Sequence, residues 1–86
     1  MIGVRQAVAA AREFAGVLMD DDRLAGITLE EVELSPDERH WLVTLGFPAA
    51  TGRFGQFAMG ASRDYKVFKV DAGSGSVGSM KIRAAA

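Results

Sequence analysis

The chain has no cysteine, a single histidine, one tryptophan, one tyrosine and two prolines. Without thiols there are no disulfides and no thiolate metal sites, and the chain tolerates a reducing compartment. With one histidine, a metal centre would need carboxylates such as Asp37 or Glu38 beside His40, and a single turn supplies too few ligands. No metal or cofactor is therefore expected. Long hydrophobic runs are missing too: no stretch approaches the roughly 20 apolar residues of a membrane span. Met1 to Leu18 carries Arg5, Arg12 and Glu13, so it lacks the unbroken apolar centre of a signal peptide. The expected location is the cytoplasm, with no membrane partner.

What is present is enough for one folded domain. The chain has 86 residues, of which 49% are hydrophobic, so residues 1–86 are read as a single unit and not as a disordered segment. A domain this small buries only about two thirds of its unfolded surface, and self-association would widen its stability margin. Charge is unevenly spread. Residues 20–38 hold eight carboxylates against Arg23 alone, a net −7, while residues 39–86 hold seven cations against Asp64 and Asp71, a net +5. Cross-strand pairing between the two halves explains this polarity better than a nucleic-acid surface does.

Apolar residues Val4, Ala7, Val8, Ala11, Phe14, Ala15 and Leu18 recur at steps of three and four, which predicts a helix over residues 3–18. The acidic run Asp20–Asp22 opposes the helix dipole and marks its end. As a candidate cation site it lacks the glycine and the distal glutamate of a calcium loop. Thr28 to Leu34 alternates, Pro36 suits the second position of a turn over 35–39, and His40 to Phe47 alternates again. Tyr65 to Asp71 and Val77 to Arg83 flank an Asp-Ala-Gly-Ser-Gly-Ser breaker, the pattern of an antiparallel hairpin. Residues 84–86 read as a frayed tail.

The expected fold class is α+β: one N-terminal helix packed on a four-stranded antiparallel sheet, in the order α-β-β-β-β. The helix-facing side should carry Val32, Leu34, Trp41, Val43, Leu45, Phe47, Phe68, Val70, Met80 and Ile82, with Lys66 reaching to water from the same side. Tyr65, Lys69, Lys81 and Arg83 should share the opposite side with Leu29, Leu42 and Val67. Four strands at about 4.8 Å are wider than the roughly 10 Å that one helix covers. The long glycine-bearing connection, residues 48–63, holds the spare apolar side chains Phe54, Phe57 and Met59. Either it folds back as a lid or it offers these residues to a partner.

The helix, Leu-Glu-Glu-Val-Glu-Leu (29–34), Trp-Leu-Val-Thr-Leu-Gly-Phe (41–47) and Tyr-Lys-Val-Phe-Lys-Val-Asp-Ala-Gly-Ser-Gly-Ser-Val (65–77) together resemble the PepSY and PepSY-like domains. Val70-Asp71-Ala-Gly-Ser74-Gly75-Ser-Val77 matches that family's valine-aspartate-x-x-threonine-glycine-x-valine hairpin, with Ser74 in the threonine position. The resemblance implies a cystatin-like α+β fold and a role in binding or inhibiting other proteins. The insertion at 48–63 is not part of the usual pattern.

Other motifs carry less. Gly73-Ser-Gly75-Ser-Val-Gly78 spells G-x-G-x-x-G, but a strand follows it where a dinucleotide site needs a helix. His40 reads as a solvent-facing residue at the start of a strand. Lys69, Lys81 and Arg83 beside one tyrosine fall short of the stacked aromatics and basic excess of an RNA-binding sheet, so nucleic acid is not the expected partner. Arg53, Phe54, Phe57, Met59, Tyr65, Lys69, Lys81 and Arg83 are the candidate partner-binding residues, because aromatics, methionine and arginine are the types enriched at binding hot spots. The reading is a non-enzymatic protein-binding module, of inhibitor, immunity or antitoxin-like type, that self-associates as a homodimer or takes another protein partner. The alternative is a small-molecule-binding or catalytic domain with its pocket between helix, sheet and the 48–63 loop.

Overall fold

The computed structural model describes residues 1–18, 26–48 and 63–83. Its elements run α1 (Val4–Leu18), β1 (Thr28–Leu34), β2 (His40–Pro48), β3 (Arg63–Asp71) and β4 (Val77–Arg83). The four strands form one antiparallel sheet in the order β1-β2-β3-β4. This is the α-β-β-β-β arrangement that the hydrophobic periodicity predicts. The Pro48 and Arg63 positions pair at the far end of β2 and β3, so both strands run slightly further than the alternation suggests.

The helix starts at a local cap. The Gln6 side chain accepts the Gly3 backbone N–H at 2.9 Å, satisfying a donor that a helix start leaves open, and the Ala7 N–H makes the first intrahelical bond, to the Gly3 carbonyl. Ala7, Ala11 and Ala15, one per turn, are fully buried against the sheet. Their small size lets the helix axis lie close to the strands, where Val43, Leu45, Phe47, Phe68 and Val70 are also fully buried. Phe14 meets Phe68 edge-on, with centroids 6.2 Å apart at 84°, and Phe47 lies 6.4 Å from Phe68 on the other side. Such aromatic pairs add about 0.5–1.5 kcal/mol beyond their buried area.

The helix covers the middle of the sheet more completely than its margins. Across the register row Leu29–Leu45–Lys66–Ile82, Leu45 is fully buried while Leu29 is 44% and Ile82 82% exposed. Ile82, expected in the core, thus lies on the predicted side but beyond the helix's reach. Residues 49–62, expected either to fold back as a lid or to offer Phe54, Phe57 and Met59 to a partner, lie outside the described residues.

Two bulges shift the side-chain alternation. In β1 the pairing steps from Leu29 opposite Leu45 to Glu31 opposite Thr44, so Glu30 is the extra residue. Leu29, expected on the open side, is thereby turned to the helix side, where it lines a shallow apolar groove with Val4 and Val8. In β4 the pairing steps from Ser79 opposite Lys69 to Val77 opposite Val70. The extra residue is Gly78, and the step brings Val77 round to the helix side, against the core.

The chain start is pinned to the β3–β4 turn, which is itself joined to the β1–β2 turn. The Ile2 N–H donates to the Ala72 carbonyl at 2.7 Å, and the Ala72 N–H donates to the Arg39 carbonyl at 2.8 Å. The Trp41 indole Nε1–H donates to the Ile2 carbonyl at 3.1 Å, giving that half-buried indole its polar partner.

Candidate protein-binding face

The sheet side away from the helix is built from three register rows. Thr28, Gly46, Tyr65 and Arg83 form the first, Glu31, Thr44, Val67 and Lys81 the second, and Glu33, Leu42, Lys69 and Ser79 the third. His40 faces Asp71 across β2 and β3 at the hairpin end. Tyr65, Lys69, Lys81 and Arg83 therefore do share one face, as the alternation predicts, together with Leu42 and Val67. The other four candidates, Arg53, Phe54, Phe57 and Met59, lie outside the described residues.

Leu42, Tyr65 and Val67 are half-buried and sit in the middle strands, while Glu31 and Glu33 on β1 and Lys81 and Arg83 on β4 are exposed at the two edges. The bulge adds Glu30 to the acidic edge. A Cβ at Gly46 would stand 2.9 Å from both Glu30 Oε2 and Thr28 Oγ1, so the glycine leaves room for these side chains to close over β2. There the Thr28 hydroxyl donates to the Glu30 carboxylate.

Arg83 spans the face. Its Nη1 lies 2.9 Å from Glu31 Oε1 and 3.3 Å from Thr44 Oγ1, reaching from β4 over β3 to β2 and to a carboxylate of β1. Thr44 beneath it is only 3% exposed. The expected pairing of the basic and acidic halves is thus realised in the Arg83–Glu31 contact. Both partners are about half exposed, so the pair is worth less than about 1 kcal/mol. Among the described residues, Glu33, Lys69 and Lys81 make no ion pair.

At the hairpin end, His40, Lys69, Asp71, Ser74, Ser76, Ser79 and Lys81 line an open depression of about 550 Å³. Its carboxylate is already engaged: Asp71 Oδ1 accepts the Gly73 and Ser74 N–H groups, each at 2.8 Å. Those two bonds, that of Ser74 first, hold the Asp71 pKa below its usual value. Asp37 in the other loop is likewise lowered, by the Ser35 hydroxyl at 2.6 Å and then by the Arg39 N–H at 3.0 Å. These bonds tie down the two turns. His40 is half-buried at the start of β2. No group of three or more His, Asp or Glu among the described residues could hold a metal.

Sequence reasoning missed the Arg83 reach to Thr44 and the contribution of Glu30, because neither a three-strand span nor a bulge leaves a mark in alternation. No protein-family model matches the chain, and no curated protein or solved structure matches it either. No described helix is long and apolar enough to cross a membrane.

Proposed function

We propose that the chain is a non-enzymatic protein-binding module that uses the helix-free face of its sheet, working in the cytoplasm. The observation that carries this reading is the face itself: half-buried Leu42, Val67 and Tyr65 in the centre, flanked by exposed charges of opposite sign on the two edge strands. A dry centre with a charged rim is the anatomy of a protein interface. The resemblance of the Val70–Val77 hairpin to PepSY-like domains supports the same reading, since it implies a role in binding or inhibiting other proteins. Inhibitor, immunity and antitoxin-like roles all fit such a face. The engaged carboxylates and the openness of the depression beside His40 weigh against the enzymatic alternative.

The test is site-specific crosslinking in cells that express the protein. A photoreactive residue at Val67 should give a discrete protein adduct that the additional change Leu42→Asp removes. The same probe at Glu13, on the exposed side of the helix, should give none. Equal labelling from both positions, or no adduct from Val67, would contradict the reading.

A further inference from the structure

We propose that the open face docks on the same face of a second copy of this chain, about a twofold axis that runs along the strands between β2 and β3. The inference rests on the reading of this face as a protein-binding surface and names its occupant.

Charge decides the axis. On this face β1 contributes Glu30, Glu31 and Glu33 and no cation, while β4 contributes Lys81 and Arg83, β3 adds Lys69, and neither edge is mixed. The face is therefore acidic at one edge and basic at the other. A twofold axis across the strands would lay β1 on β1 of the partner subunit, acid against acid and base against base. An axis along the strands lays β1 over β4 of the partner subunit and β2 over β3, so each acidic edge meets a basic one. Like charges brought together cost several kcal/mol at an interface, so complementarity selects the second arrangement.

The charges left over inside one copy fit this arrangement. Arg83 and Glu31 satisfy each other within the chain, which leaves, among the described residues, Glu33 on one edge and Lys81 on the other without an ion-pair partner. Rotation about the strand axis brings the Glu33 row over Ser79 of the partner subunit, one register row from Lys81 of the partner subunit. Apposed sheets lie about 10 Å apart, a gap that a glutamate and a lysine side chain span together. By symmetry the contact forms twice. In the centre, Thr44 comes over Val67 of the partner subunit, and Leu42 comes over the aliphatic stem of Lys69 of the partner subunit.

Size sets the strength. Four strands at about 4.8 Å and seven residues at about 3.3 Å make a face of roughly 20 by 23 Å. Two such faces bury on the order of 1,000 Å² together, the lower limit for a specific pairing. The dimer should therefore be micromolar or weaker, and should loosen as salt rises.

Sedimentation equilibrium at low salt tests it. The wild-type chain should dimerise, and Glu33→Lys and Lys81→Glu should each sediment as monomers with unchanged circular dichroism. An equimolar mixture of the two variants should recover the dimer mass, because both contacts of the mixed pair are then opposite in sign. The double variant carrying both changes in one chain should dimerise with itself. A wild-type monomer at millimolar concentration, a mixture that stays monomeric, or a Glu33→Lys chain that still dimerises would each overturn the proposal. If wild type is monomeric while the Val67 probe captures a different protein, the self-pairing fails and the binding-face reading stands. If Val67 captures nothing, both fail.

Discussion

The two sides of the sheet come from the same four strands, often from adjacent residues, and differ in what lies over them. Phe68 and Val67 are neighbours on β3. Phe68 is fully buried between Phe14 and Phe47, whereas Val67, one residue away, is half-buried on the face that the helix does not reach. The helix side places its apolar groups under three alanines. The other side spreads fewer apolar groups beneath one long arginine. Apolar content alone therefore does not separate core from surface here; cover does. The side under the helix carries stability, and the side that the helix does not reach is the one proposed for binding.

The largest effect should come from testing that division directly. Phe68→Ala should cost about 3–5 kcal/mol by urea unfolding, whereas Val67→Ala should cost less than about 1 kcal/mol and act on association. Comparable losses from both would erase the distinction between the sides. Ala11→Leu sharpens it from the helix, because extra volume at that close approach should cost about 1–3 kcal/mol and leave the open face unaltered.

The sides stay distinct only while the register holds, since a slip of one residue exchanges them. Gly75, at φ 83°, lets the β3–β4 turn close with its N–H on the Asp71 carbonyl. Gly75→Ala should cost about 1–2 kcal/mol. Glu38 adopts φ 60° in the other loop without a glycine's freedom, and Glu38→Gly should recover up to about 1 kcal/mol.

The smallest effect is electrostatic. Asp37 and Asp71 both have lowered pKa values from turn hydrogen bonds. A carboxylate whose folded pKa lies below its unfolded one contributes stability that is present above the unfolded value, near 4, and lost as pH falls through the folded one. Acid titration of the unfolding midpoint should show this loss below about pH 4, and Asp71→Asn should reduce its amplitude. A midpoint independent of pH in that window would contradict the turn assignment.

Much of the fold is legible in the sequence because its periods are clean: threes and fours through Leu18, twos through β2 and β3. The sharing of one face by Tyr65, Lys69, Lys81 and Arg83 follows from the same alternation. What alternation does not carry is the single extra residue. Glu30 and Gly78 each reset the parity of an edge strand, moving Leu29 and bringing Val77 to the helix side, and nothing local distinguishes Glu30 from its acidic neighbours. The docking of Ile2 against Trp41 and Ala72 is equally hidden, since it joins an indole and backbone groups far apart in sequence. Ile82 shows a third limit: parity predicts a side, and only the width of the neighbouring helix decides burial.

The most direct test of the proposed pairing of open faces is a methyl and amide NMR comparison of the wild-type chain from low micromolar to millimolar concentration. Shifts concentrated at Leu42, Thr44, Tyr65 and Val67, with Val8 and Phe14 unmoved, are the predicted result. Shifts centred on the helix, or spectra that do not change with concentration, would contradict it.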